Sequence, residues 1–144
     1  MGRRPGGNAN RPAGVIVVDT SVWIAHLRNH PLPAVHTVRD PALADDIIIG
    51  DIVLTEVLQG ARDDTHATRL EAALQQFPIV AMVGLRMAAK AASNYRMLRA
   101  AGFTMNKIAD LFIGTYCIEH GHELLHCDAD FEPMARVCGL QMLR

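Results

Sequence analysis

The sequence predicts one α/β domain with a central, mainly parallel sheet and helices on both of its faces. Three observations carry that prediction. Short β-branched runs alternate with longer helical patterns, the order that βαβ units impose. The chain has 144 residues, enough for one core and too few for two ordinary domains. Half of the residues are hydrophobic and a fifth are charged, which excludes a wholly disordered chain.

The elements follow in order. Residues 1–14 are rich in Gly, Pro, Asn and Arg and read as a flexible basic tail, which leaves 15–144 as the single domain. Val15–Val18 is an unbroken β-branched run, as in a strand buried on both faces. Asp19-Thr20-Ser21 offers N-capping side chains for a helix opening over Val22–Leu27. Prolines 31, 33 and 41 are expected to break up the stretch that follows. Ile47–Ile49 is a second strand, and Ile52–Gln59 a short helix closed by Gly60. A helix over Asp63–Phe77 stops at Pro78, ahead of a third strand over Ile79–Val83. Leu85–Ala101 is an alanine- and methionine-rich helix ending at Gly102. Ile108–His120 has few polar residues and reads as a largely buried helix. Beyond Gly121, Leu124–Cys127 is a fourth strand, Phe131–Val137 a helix and Leu140–Leu143 a last strand.

The longest apolar stretch, near Ile79–Leu85, falls well short of the roughly 18 residues a membrane helix needs. No signal-peptide pattern follows the N-terminal arginines, and three cysteines at uninformative spacing read as reduced thiols. A cytoplasmic protein is the expectation. The histidines and cysteines (His120, His122, His126, Cys117, Cys127) match no standard zinc-ligand spacing.

Formal net charge is −1, from 14 basic and 15 acidic residues. Arg3, Arg4 and Arg11 lie in the tail, which has no acid, so the body holds 11 basic against 15 acidic groups. A mildly acidic body is not that of a passive nucleic-acid binder. A polyanionic substrate would need a local basic patch or a metal ion. Leu85–Lys107 supplies one such patch, with Arg86, Lys90, Arg96, Arg99 and Lys107 and no acid. At about 100° per residue, Met87, Ala91, Tyr95 and Leu98 share one face, and Arg86, Lys90, Arg96 and Arg99 fall broadly on the other. They form either a solvated face or a surface for the phosphates of a polyanion.

Certain carboxylates carry the functional argument. Ligands of open α/β sheets gather at the carboxyl ends of the strands. Asp19 ends the first strand and Asp128 the fourth; Asp110 lies at the start of the apolar helix, and Glu56 within the short helix after the second strand. Each has a plain structural explanation: a helix cap for Asp19 or Asp110, a turn for Asp128, an exposed face for Glu56. Apolar flanks weaken it for Asp19 and Asp110, because a lone buried charge is costly. Two carboxylates about 5 Å apart repel by about 3 kcal/mol at an effective dielectric of about 20. Four in one place require protons or a divalent cation. An all-oxygen site suits Mg²⁺, with Mn²⁺ as a substitute, and such ions promote in-line hydrolysis of a phosphodiester.

These residues resemble a known family. Val17-Val18-Asp19-Thr20-Ser21-Val22-Trp23-Ile24 is similar to the opening motif of PIN-domain nucleases. Thr55-Glu56-Val57-Leu58-Gln59-Gly60, Ile108-Ala109-Asp110-Leu111-Phe112-Ile113 and His126-Cys127-Asp128-Ala129-Asp130-Phe131 are similar to the second, third and fourth motifs. Their order and spacing resemble those of bacterial VapC toxins of type II toxin–antitoxin systems, from Val15 to the C-terminus. The resemblance implies a PIN-like three-layer α/β/α sandwich and a Mg²⁺-dependent ribonuclease. It also implies inhibition by a cognate VapB-type antitoxin, and a homodimer. It marks Asp19, Glu56, Asp110 and Asp128 as catalytic, with Asp19 and Asp110 on the metal. Asp128 is preferred for the fourth position, with Asp130 as an outlying helper. Thr20 and Ser21 are candidates for orienting a water, or else cap the helix. Hydrolysis by activated water leaves 5′-phosphate and 3′-hydroxyl ends. Two other readings stay open: a catalytically inert PIN-like binding module, and a Mg²⁺-dependent phosphatase with an aspartyl nucleophile. The latter commonly places a second Asp two residues after the first, where this chain has Ser21.

Overall fold

A computed structural model describes residues 14–143. The tail expected over residues 1–14 lies, apart from Gly14, outside them.

Five parallel strands form the sheet: β1 (Ile16–Val18), β2 (Ile47–Gly50), β3 (Ile79–Val80), β4 (Glu123–Leu125) and β5 (Gln141–Met142), in the order β3-β2-β1-β4-β5. All three residues of β1 are fully buried, as a continuous β-branched run requires of the central strand. The chain first moves outward from β1 through β2 to β3, then returns to add β4 and β5 on the other side. That reversal opens a crevice beyond the carboxyl ends of β1 and β4, where open α/β sheets hold their ligands.

The crossovers distribute the helices. On one path lie α1 (Thr20–Leu27), α2 (Pro33–Arg39), α3 (Asp51–Gln59) and α4 (Asp64–Leu74), with α1 packed on α2 and α3, and α3 on α4. On the returning path lie α5 (Leu85–Ala100), α6 (Ile108–His120) and α7 (Glu132–Val137), with α5 packed on both α6 and α7. Right-handed crossovers running in opposite directions place the two sets on opposite faces, which gives the three layers. Trp23 and Phe131 are among the largest fully buried side chains, and the Trp23 ring packs edge-on against Phe77 with centroids 5.0 Å apart.

Two close approaches depend on glycine. A Cβ on Gly114, in mid-α6, would lie 2.5 Å from Met134 Sδ, and one on Gly50 would overlap Met82 Sδ. Asp51 Oδ1 accepts hydrogen bonds from Ile52 N and Met82 N, fixing the start of α3 to the chain leaving β3. Thr115, fully buried in α6, accepts a bond from Asn94 Nδ2 of α5 at 3.0 Å.

Several boundaries differ from expectation. The proline-rich stretch holds α2, because Pro33 takes the first helical turn, where its missing N–H costs nothing. β3 stops at Val80, and Val83 is half exposed. β4 covers Glu123–Leu125 instead of Leu124–Cys127, because its pairing with β1 ends at Val18↔Leu125. A single 3₁₀ turn over Ala129–Phe131 precedes α7. Among the described residues no helix is long and apolar enough to cross a membrane.

Candidate active site

Asp19 leaves the carboxyl end of β1 and caps α1. Its amide donates to Leu125 O at 2.9 Å, which extends the β1–β4 pairing by one bond and holds the residue over the crevice. Oδ2 accepts the Ser21 hydroxyl at 2.6 Å and the Ser21 amide at 3.3 Å, and the exposed Cys127 thiol donates to Ser21 Oγ at 3.3 Å. Thr20 Oγ1 donates to Glu56 Oε1 at 2.6 Å, tying the first turn of α1 to the middle of α3. The capping explanation for Asp19 therefore holds together with the site explanation, since one carboxylate does both.

Asp110 arrives from the opposite face, in the first turn of α6. The N-cap there is Lys107, without a side-chain capping bond, so Asp110 has no capping task. Its residue is 5% exposed and Asp19 is 3% exposed. Asp128 follows β4, and its Oδ1 accepts the Asp130 amide at 2.9 Å, capping the 3₁₀ turn.

These segments meet. Asp19, Thr20, Ser21, Glu56, Asp110 and Asp128 all line one hollow of about 240 Å³, together with Ile24, Gln59 and Lys107. Carboxylate oxygens of Asp110, Asp128 and the exposed Asp130 also lie within 4.8 Å of one another. Asp110 belongs to both groupings.

Burial sets the protonation of the cluster. It pushes the Asp19 carboxyl above its usual range; the Ser21 bonds pull it back, and the Glu56 charge adds a smaller upward push. Asp110 rises from the usual value near 3.8 to about 7. Burial is the largest cause and the Asp19 charge the next; the Lys107 ammonium opposes them, and Glu56 and Asp128 add to the rise. Asp110 therefore carries a proton for a substantial fraction of the time near neutral pH.

Residues 16–137 match the family model of the PIN domain. The chain belongs to the PIN domain family. Ribonuclease VapC11 of Mycobacterium tuberculosis is 34% identical over 130 residues, spanning 88% of this chain and 96% of the relative. Ribonuclease VapC51 of the same species is 34% identical over 124 residues, spanning 85% and 87%. Among solved structures, VapBC2 from Rickettsia felis bound to a promoter DNA fragment superposes with a TM-score of 0.73 at 18% identity, covering 90% of this chain and 97% of that one. VapBC from Salmonella typhimurium bound to DNA gives 0.71 at 17% identity, covering 90% and 96%. These likenesses agree with the three-layer fold.

The basic residues of this PIN domain separate along α5. Arg96 and Arg99 line a second, larger hollow between α5 and the start of α6. Arg86, at the far end of the helix, pairs with Glu119 at 3.7 Å, and the exposed Lys90 lines neither hollow. Lys107 lines both hollows, a place that sequence reading missed. Its signal was present, three residues before Asp110 in an acid-free stretch, but the path of residues 102–107 is not written in any periodicity.

Proposed function

We propose that this chain is a Mg²⁺-dependent ribonuclease and the toxin of a toxin–antitoxin pair. The observation that carries the reading is the convergence of Asp19, Glu56, Asp110 and Asp128, from four separate segments, on one hollow. Sequence likeness to the named VapC ribonucleases supports the substrate class.

The donor set fits a hard divalent cation. It consists of carboxylate and hydroxyl oxygens, and burial first, then the charges of its neighbours, raise the Asp110 pKa to about 7. Asp19 and Asp110 would hold the ion, with Glu56, Asp128 and Asp130 around them. When bound, the ion neutralises the cluster and supplies the Lewis acidity for phosphodiester hydrolysis by water, with Mn²⁺ as a substitute. Ser21 fixes Asp19 Oδ2 through two hydrogen bonds, which turns that oxygen away from a nucleophile's task and disfavours the phosphatase reading. Thr20 holds Glu56 in one rotamer through its 2.6 Å bond. Lys107 stands beside Asp110, where its ammonium can meet a substrate phosphate that approaches the acids. Arg96 and Arg99 are exposed and extend this positive edge.

A VapB-type antitoxin is the partner proposed, its inhibition achieved by a basic side chain entering the acidic hollow in competition with the ion. A homodimer and a cytoplasmic location complete the reading. The test is cleavage of single-stranded RNA by purified protein with Mg²⁺ and with EDTA. Metal-dependent products with 5′-phosphate and 3′-hydroxyl ends are expected. Undiminished cleavage by Asp110→Asn protein, or cyclic 2′,3′-phosphate ends, would overturn the reading, and a protein with no cleavage at all fits the inert module.

A further inference from the structure

The larger hollow is chemically unlike the acidic one. It measures about 620 Å³ and lies between α5 and the start of α6. Ala92, Tyr95 and Phe112 give it an apolar surface with two aromatic rings, and Arg96, Arg99 and Lys107 place three cations around that surface. The Arg99 guanidinium already lies 5.9 Å from the centroid of the Tyr95 ring. Aromatic faces among cations that follow a backbone are the means by which proteins hold single-stranded nucleic acid, the rings taking bases and the cations taking phosphates. The volume is that of a cleft for a small ligand, open on one side and large enough to seat an unstacked base.

Continuity gives the hollow its occupant. Lys107 lines both it and the acidic hollow, and Ile108, 71% exposed beside it, lies two residues from Asp110 on the same helix turn. The two hollows are therefore neighbours, and a strand with a phosphate at the acids runs toward the apolar one past Lys107. No acid occurs between Leu85 and Lys107 to repel that strand.

We propose that this hollow is a nucleobase subsite, which takes one unpaired base adjacent to the scissile phosphate of an RNA strand. It rests on the ribonuclease reading and adds to it the demand for unpaired RNA with a base at that position. Lys107 is the positioning residue between the two hollows, and Tyr95 is the stacking surface.

The test measures binding of a fluorescent ten-residue oligouridylate and of an abasic ribose-phosphate chain of equal length to the full chain, with Ca²⁺ in place of Mg²⁺. The base-bearing strand is expected to bind at least tenfold more tightly. Ala92→Trp, at an exposed helix position, fills the hollow and should abolish that ratio while leaving the salt slope of binding in place. Ala88→Trp, on the same lining and also exposed, repeats the comparison should the first variant fail to fold. A preference in the filled variants as large as that of wild type, or no preference in wild type, overturns the subsite. So does a change of sedimentation from dimer to monomer in those variants without loss of the ratio, which would make the hollow a contact between copies of the chain. Absence of any RNA cleavage by the wild-type protein with Mg²⁺ defeats the ribonuclease reading itself. Cleavage that persists without base dependence defeats the subsite alone.

Discussion

Asp110 concentrates the electrostatics of the molecule in one carboxyl group. Its proton affinity in the folded chain is raised to about 7, whereas an unfolded chain returns it to the ordinary carboxylate range. Between about pH 4 and pH 7 the folded state therefore binds more protons than the unfolded state, so stability in EDTA falls as pH rises through that window. Asp110→Asn removes this fall. Thermal unfolding in EDTA should show the variant matching or exceeding wild type at pH 8, by on the order of 1–2 kcal/mol after solvent screening, with the difference shrinking toward pH 4. A wild-type protein equally stable at both pH values would refute the assignment. Thr20 offers a second test. Thr20→Val keeps the shape and removes the donor to Glu56, which should cost about 1 kcal/mol of stability and lower kcat more than it changes KM. At this scale the sequence was informative wherever apolar neighbours surrounded an acid, as at Asp19 and Asp110. It named Asp130 as an outlying helper and counted Lys107 in a basic stretch, but it did not place either beside Asp110, because those places depend on loop paths that no local pattern encodes.

Elements carry those residues to the site by packing. Helix α6 must approach α7 closely enough to seat Asp110, and Gly114 permits it by leaving room for Met134. Gly114→Ala puts a methyl 2.5 Å from the buried Met134 Sδ, and chemical denaturation should show a loss of about 1–3 kcal/mol. No loss would mean that Met134 repacks freely and that the approach is not tight. The β-branched runs, the glycine stops and the nearly all-apolar α6 were legible because burial and capping act locally. α2 was not, since three prolines obscured a helix that starts on one of them. The end of β4 was not either: its boundary follows from where β1 stops pairing, a tertiary fact.

Across the whole molecule, strand order and charge distribution act together. The β3-β2-β1-β4-β5 order places Asp19 and Asp128 on either side of one crevice, while α3 and α6 touch and bring Glu56 and Asp110 toward it from the two faces. On the proposed reading, an acidic body with a basic edge at Arg96, Arg99 and Lys107 attracts an RNA strand toward that edge. Arg96→Ala combined with Arg99→Ala should reduce the magnitude of the logarithmic salt slope of RNA binding by about 1.4, two phosphate contacts on a single strand. An unchanged slope would return α5 to a solvated face. The most direct measurement is calorimetric titration of Mn²⁺ into wild-type, Asp19→Asn and Asp110→Asn protein at pH 8, each with unaltered circular dichroism. Saturable binding by wild type that weakens at least tenfold in both variants is the predicted result; variants that bind Mn²⁺ as tightly as wild type would contradict a shared cation pocket.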